Sequence, residues 1–337
     1  MTGENISATK STHTGPRRRL TVSVVICTKD RPGELCETLE TLWRQSRLPE
    51  ELVIIDDGHL DVEPLTAAAR GRHVAFVYHN KAHNPGLARS RRAGREQSSG
   101  DVILFLDDDV LLDEGYIEAI MAVYESDGEG HVGGCTGVLQ GIRYRRLQMP
   151  LLRFFGMDAP KREGQILKNF IGVLVRNIDQ PTEVQWLAGC NMSYRREALA
   201  SVEIPNDLEG YSAGEDRAIS YQVGRRWRLM ATPDARLVHR KIATSRLARG
   251  DWGFQEVYYN YLHFRRNMPQ DLSHRAAFAW LCAGYVVINL LRRDWRRAAG
   301  NLRGIGRILS GAGGKRDAQS NCRPDETAYS NENRPGH

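Results

Sequence analysis

Three consecutive carboxylates, Asp107, Asp108 and Asp109, follow directly on the apolar run from Val102 to Leu106. Like charges that close repel, and burying even one without a counter-ion is costly. The cluster belongs either in a fully solvated turn or beside something positive. Hard cations such as Mg²⁺ and Mn²⁺ take carboxylate oxygens and commonly bridge them to substrate phosphates. A second acidic run, Asp56-Asp57-Gly58, ends the apolar stretch from Leu52 to Ile55. A third pair, Glu215 and Asp216, opens an amphipathic stretch at 214–224. Carboxylates in a first helical turn often do no more than answer the helix dipole, worth ~0.3–1 kcal/mol. A carboxylate there can also take the proton of an attacking hydroxyl. His239 closes the stretch 229–239; a lone histidine is more often structural than a ligand, but its ring nitrogen suits a metal.

These residues need elements to hold them. The run Val22–Thr28 is β-branched and apolar, as a central strand would be, and it leads into Leu35, Leu39, Leu42 and Trp43 at helical spacing behind Pro32. Strands are expected again at 51–56, 74–79 and 102–106, with a helix over 87–97. Asp113 stands where it can cap a helix that carries Ile117, Ile120, Met121 and Tyr124 on one face. Strands and helices alternating at this rhythm predict an α/β fold, a mainly parallel open sheet covered by helices. Ligands in such folds sit beyond the carboxyl ends of the strands, where Thr28, Asp56, Asp57 and Asp107 to Asp109 fall.

Composition narrows the class. Of 337 residues, 41% are hydrophobic and 26% charged, ordinary values for a soluble globular protein. The six cysteines are scattered, with no CxxC pair and no metal spacing, and are read as reduced thiols of a cytosolic protein. The polar residues 1–20 show no signal peptide. The net charge of +6 is unevenly distributed. Residues 21–239 hold 26 Lys/Arg against 32 Asp/Glu, while residues 240–316 hold 15 against 4. An acidic body therefore carries a basic segment suited to phosphates of nucleic acid or lipid. The exposed aromatics that an RNA-binding surface would interleave among its basic residues are sparse, so nucleic acid is not expected as a partner. A dinucleotide-binding turn is also disfavoured, because Lys29-Asp30-Arg31-Pro32 follows the first strand instead of G-x-G-x-x-G.

The ordered set VSVVICTKDRP, LVIIDDG, NPGLARSRRAG, VILFLDDDV, WLAGCNMSYRREAL, GEDRAISYQVG and ATPDARLVH resembles the family 2 glycosyltransferases over residues 21–240. The resemblance implies a GT-A nucleotide-diphospho-sugar transferase fold, with a nucleotide-sugar half at about 21–112 and an acceptor half at about 113–240. It implies donor binding by Thr28, Asp57, Arg91, Asp107 and Asp108, with Asp57 favoured over Asp56 for the base and Arg89 and Arg92 the rivals of Arg91. It makes Asp107 and Asp109 the outer members of a DXD motif and adds His239 as a metal ligand for Mg²⁺ or Mn²⁺. Asp109 is the direct ligand by this reading, with Asp107 or Asp108 toward the ribose. Asp216 becomes the general base, with Glu215 beside it. Trp186, Gly189 and Asn191 would line the acceptor and sugar pocket, although Trp186 also suits a core. The implied activity is inverting transfer of a sugar from a nucleoside-diphosphate-sugar to a glycan or lipid-linked hydroxyl. A retaining or nucleotidyl transferase on the same fold, and a non-enzymatic membrane-binding or nucleic-acid-binding protein, are the rival readings.

Two stretches depart from the family pattern. Gln222-Val223-Gly224-Arg225-Arg226-Trp227 has one residue too many for the QxxRW box of processive synthases, so processivity is not expected. Residues 140–182 fit no pattern, and acceptor choice would be set there. Beyond residue 240 a basic helical segment is expected to about 311, with tails at 1–20 and 312–337 read as disordered. Within that segment, residues 276–291 are uncharged. As a helix they reach ~24 Å, short of the ~30 Å hydrocarbon core, which suggests a buried or membrane-embedded arm. Trp295, Ala298, Leu302, Ile305 and Leu309 then recur at helical spacing among arginines, a pattern suited to the anionic inner face of the cell membrane. The bland alternative is two helices packed on the body with solvated arginines.

Overall fold

The computed structural model describes residues 19–141, 149–204, 213–240 and 249–311. Most of both expected tails, 1–18 and 312–337, lies outside these residues. The chain orders β1 (Val22–Thr28), α1 (Pro32–Leu42), β2 (Glu51–Asp56), α2 (Glu63–Arg70), β3 (Ala75–Asn80), α3 (Leu87–Gln97) and β4 (Val102–Asp107). There follow β5 (Val110–Leu112), α4 (Tyr116–Ser126), β6 (Val132–Gln140), α5 (Met149–Phe154), β7 (Thr182–Val184), β8 (Asn191–Arg195) and α6 (Arg196–Ala200). The last elements are α7 (Glu215–Val223), β9 (Arg228–His239), α8 (Arg249–Asn267), α9 (Leu272–Leu291) and α10 (Trp295–Leu309).

The sheet runs β3-β2-β1-β4-β8-β6-β9-β5, with β7 also beside β9. Its first four strands are parallel. They are covered on both faces, which is why they read as continuous apolar runs; Val24, Ile26, Ile54 and Leu104 face one layer of helices, and Val25, Val53, Ile55 and Ile103 the other. Register aligns the strand ends: Thr28 is level with Asp56, and Cys27 with Asp107. Two antiparallel pairings then return distant segments to that end. β8 pairs with β4 so that Asn191 stands opposite Leu106, which brings residues 186–190 over the strand tips. β9 pairs with β5 so that His239 stands opposite Val110.

Pro32 occupies the first turn of α1, and Leu35, Leu39 and Leu42 are its buried face, as expected. The expected side-chain cap by Asp113 is not made. The helix begins three residues later at Tyr116, whose N–H donates to the Asp113 carbonyl at 3.0 Å.

A third apolar cluster joins the region between β6 and β8 to the C-terminal helices. Ile166, Phe170 and Trp186 meet Val257, Phe264, Phe278 and Leu281 there. α10 lies close on α8, because a Cβ at Gly253 would come within 2.2 Å of the Arg297 carbonyl oxygen. Asn301 donates to the Gly253 carbonyl at 2.9 Å and accepts from Asn289 at 2.8 Å, satisfying buried amides across the three helices. By length and composition α9 is long and apolar enough to cross a membrane, with a mean hydropathy of 1.3, but a third of that window is buried in the protein. Phe278, Leu281, Cys282, Ile288 and Asn289 form its inward face over most of its length. The packed arm therefore describes this face of the helix. α8 falls within the helical segment expected beyond residue 240.

Candidate active site at the strand tips

Each acidic motif divides its two kinds of work. At β2, Asp56 is fully buried and turns inward: its oxygens accept from the N–H of Gly58 and Leu60 and from the Tyr78 hydroxyl, at 2.7–2.9 Å. Asp57 points the other way, toward the start of α3. It accepts from Lys81 Nζ at 2.7 Å, from the Gly86 N–H at 2.7 Å and from the Ser90 hydroxyl at 3.0 Å. Asp57, expected to face a ligand, is thus held by three donors with its side chain 10% exposed.

At β4 the split runs through the triplet. Asp108 is buried and accepts from Thr28 Oγ1 at 2.7 Å and from Arg31 Nη1 at 2.6 Å. Burial pushes its carboxyl up to about 7, against the pull of Thr28 and Arg31. Both Asp108 and the Thr28 hydroxyl, expected on the donor side, are thus engaged with one another inside the fold, and Asp108 with Arg31 as well. Asp109 is also buried, with Arg31 Nη2 at 3.0 Å from Oδ2 and His239 Nε2 at 3.0 Å from Oδ1. Burial alone would raise its pKa, but the hydrogen bond and charge of His239, then Arg31, hold it below the usual carboxylate range. Asp107 is the most open of the three, its side chain 29% exposed, with His239 Nε2 at 3.6 Å.

Arg91 ties this tip to α7. It is buried, its Nη2 donates to the Gly189 carbonyl at 2.9 Å and lies 3.5 Å from Asp107 Oδ1, and its Nη1 contacts Glu215 Oε1. Burial opposes its charge, but Glu215 first among its acidic neighbours more than offsets this and holds its pKa above the ordinary value. Burial raises the pKa of Glu215, which Arg91 only partly offsets. The rivals of Arg91 face outward: Arg89 bonds Asn84 and the Pro85 carbonyl, and Arg92 pairs with Glu96. Asp216, next to Glu215, keeps 19% of its side chain exposed and accepts from the Gly189 N–H at 3.2 Å. Gly189 is where close approach is needed, since a Cβ there would lie 2.7 Å from Arg91 Nη2.

Two expected pocket residues are placed elsewhere. Trp186 is a core residue: its indole N–H donates to the Val173 carbonyl at 3.0 Å, and its ring packs where a Cβ of Gly172 would be. At 8% exposure it is poorly placed to stack on a sugar. Asn191 is fully buried in β8, donating to the Gly137 carbonyl at 3.1 Å and accepting from Thr136 Oγ1 at 2.5 Å. Its amide closes a sheet irregularity and is not offered to a ligand.

Ligand atoms of Asp107, Cys190 and His239 lie within 4.8 Å of one another, a grouping of metal-ligating side chains among the described residues. A carboxylate beside an imidazole fits a divalent cation that accepts nitrogen as well as oxygen, and Asp109 stands at the same Nε2 of His239 as Asp107 does, at 3.0 and 3.6 Å. Sequence reasoning missed Cys190, Arg31 and Lys81. Cys190 lies within a quoted motif, but its thiol was set aside because no second cysteine stood at metal spacing. Burial pushes the other nearby thiol, Cys27, up to about 12, so it remains protonated.

The family model for glycosyl transferase family 2 matches residues 23–202. The chain is 35% identical over 105 residues to the uncharacterized glycosyltransferase YwdF of Bacillus subtilis, covering 31% of this chain and 38% of that protein. It is 34% identical over 119 residues to the glucosyl-dolichyl phosphate glucuronosyltransferase of Haloferax volcanii, covering 35% of this chain and 38% of that protein. The chain thus spans well under half the length of these two curated relatives. Among solved structures, mannosyltransferase PcManGT from Pyrobaculum calidifontis, in complex with GDP-Man and Mn²⁺, superposes with a TM-score of 0.52 at 16% identity, over 88% of this chain and 80% of that one. S. aureus TarS 1-349 with UDP-GlcNAc gives 0.53 at 14% identity, over 80% and 73%. These identities speak for the fold alone, which is GT-A, while the match over more than half of the chain identifies it as a member of glycosyl transferase family 2.

Proposed function

We propose that this chain is a metal-dependent, inverting glycosyltransferase that moves a sugar from a nucleoside-diphosphate-sugar onto a hydroxyl of a glycan or lipid-linked acceptor, at the cytoplasmic face of the cell membrane. The observation that carries the reading is the position of Arg91, in contact with Glu215 and 3.5 Å from Asp107. One buried guanidinium joins the donor side to the pair that holds the base. The Pyrobaculum mannosyltransferase, in complex with GDP-Man and Mn²⁺, supports a sugar-nucleotide donor and a divalent cation, and the Haloferax glucuronosyltransferase supports a sugar as the group moved.

In this reading Asp57 accepts the ring N–H of the base, with Lys81 fixing its carboxylate. Asp107, Asp109 and His239 would hold the divalent cation, and Cys190 borders the site. When bound, the cation would offset the charge that develops on the departing diphosphate. The imidazole favours Mn²⁺ over Mg²⁺, which prefers oxygen ligands. Arg91 keeps Asp107 and the 189–190 turn in register with α7 and presents positive charge toward the diphosphate. Glu215 is buried and paired, so it serves as a support, while the more open Asp216 takes the acceptor hydroxyl's proton. The acceptor oxygen forms a bond to the anomeric carbon, and the carbon–oxygen bond to the nucleoside diphosphate breaks with its electron pair. A single displacement of this kind inverts the anomeric centre.

A thermal-shift screen of nucleoside diphosphates with and without Mn²⁺ tests the donor site, and stabilisation that requires both is the expected result. Asp216→Asn is expected to retain that shift while transfer falls ~10²–10⁴-fold, the usual contribution of a general base. An Asn variant that transfers at the wild-type rate would remove Asp216 from this role.

A further inference from the structure

The large apolar side chains that stand exposed among the described residues fall on α9 and α10, with one exception, Phe154 of α5. That exception is attached to the same surface: its ring meets Trp280 at 5.1 Å, and the Trp280 indole N–H donates to its carbonyl. Along α9, Trp280, Val287 and Leu291 follow one another at helical spacing on the side away from the body. No charged residue interrupts the helix between Ala276 and Leu291. On α10, Trp295, Leu302 and Leu309 stand seven residues apart and are 64%, 56% and 81% exposed. They form a single stripe ~21 Å long at 1.5 Å per residue.

The inner faces of both helices are already engaged. Phe278, Leu281 and Ile288 of α9, and Ala298, Asn301 and Gly304 of α10, are buried against the protein. The outer stripes therefore have no role in closing the fold. The terminal segments are poorly suited to cover them: residues 1–18 offer only Met1 and Ile6 as large apolar side chains, and residues 312–337 only Tyr329. Charge selects among the remaining occupants. Residues 272–311 contain seven arginines against one carboxylate, Asp294, and Arg292, Arg293, Arg296 and Arg303 are exposed beside the apolar stripes. Two copies of this face would meet with like charge. A surface that is apolar within and anionic at its boundary answers both features, and tryptophans at such a boundary place an apolar ring and an N–H at headgroup depth.

We infer that the outer faces of α9 and α10, continued by Phe154, form a docking surface for an anionic lipid bilayer, on which the helices lie flat. The inward packing of α9 over most of its length excludes the spanning arrangement while those contacts hold. Phe154 lies in the connection between β6 and β7, within the acceptor half, so the bilayer side and the acceptor side of the molecule are contiguous. Resting on the glycosyl-transfer reading, this favours an acceptor carried on a lipid in that bilayer over a free glycan.

The test uses the full chain and co-sedimentation with vesicles, either of phosphatidylcholine alone or of equal parts phosphatidylcholine and phosphatidylglycerol. Wild-type protein is expected to pellet with the mixed vesicles and to remain in solution with the neutral ones. Val287→Glu with Leu291→Glu, and separately Trp295→Ser with Leu302→Ser, should weaken that partition about tenfold or more, with the nucleoside-diphosphate thermal shift unchanged. The unchanged shift shows that the variants are folded. Wild-type protein that ignores the mixed vesicles, or variants that pellet as well as wild type, would overturn the proposal. So would light scattering that finds a wild-type dimer and monomeric variants, since a second copy would then cover the face. Vesicle binding without any nucleotide shift would leave the docking surface standing and count against the transfer reading instead.

Discussion

At the strand tips the chain buries charge, and along α9 and α10 it exposes apolar side chains. Both run against the usual partition of residues, but the consequences differ. At the tips every buried carboxylate has a partner: Asp56 has its own loop, Asp108 and Asp109 share Arg31, and Glu215 has Arg91. Those groups are interdependent, because removing one leaves another charged and dry. The exposed side chains of α10 have no such dependents, since its buried face is made of Ala298, Asn301 and Gly304. Departures of the first kind should be expensive to disturb, and departures of the second kind nearly neutral to folding.

The sharpest way to break the comparison is Glu215→Gln. It leaves Arg91 buried without its main counter-charge, and losing one partner of a buried pair typically costs ~3–5 kcal/mol. Denaturant unfolding should show a loss of that order, whereas Leu302→Ser should stay within ~0.5 kcal/mol of wild type, as exposed substitutions usually do. Equal losses in the two variants would dissolve the distinction. Asp109→Asn probes a milder dependence. Asp109 and Asp107 stand at the same nitrogen of His239, so with Asp109 as a ligand the Mn²⁺ concentration that half-saturates the donor thermal shift should rise by at least ~10–100-fold. An unchanged Mn²⁺ requirement would remove Asp109 from the metal site.

These same contrasts explain what could be read in advance. β1, β2 and β4 announce themselves because a strand buried on both faces must be apolar throughout, and the helices between them follow from leucine spacing and Pro32. Asp57, Asp107, Arg91 and Asp216 were identified from ordered motifs, and the structure gathers them at one end of the sheet. The direction of a side chain is another matter. Whether Asp108 faces ligand or Arg31, and whether Trp186 stacks on a sugar or on Gly172, depends on which distant segment arrives opposite. For Asp108 it is the turn between β1 and α1 that carries Arg31, and for Trp186 the chain before β7 that carries Gly172 and Val173, and no local spacing encodes either. Cys190 was missed for the same reason: its partners Asp107 and His239 lie 83 residues before it and 49 after it. The arginine-flanked stripe on α10 was legible as amphipathic, but which of its faces would be buried was not, because small residues and Asn301 make the contact there.

The gentlest test of the paired tips is the pH dependence of apo-protein stability. Burial raises the Asp108 carboxyl to about 7, above the ~3.9 of an unfolded aspartate. Between those values the folded chain binds more protons than the unfolded one, so stability falls as pH rises. The contribution of this group is complete below the unfolded pKa and is lost as pH passes through the folded one. Asp108→Asn is neutral throughout and lacks that term, though it also weakens the contacts to Thr28 and Arg31. Whatever those lost contacts cost, the cost should not tilt with pH in this way. The variant's Tm minus the wild-type Tm, measured in chelator, should therefore increase steadily from about pH 4 to about pH 7 and then level off. A flat difference would mean that Arg31 keeps Asp108 ionised over the whole range, and that the two form a simple ion pair in which burial has little say.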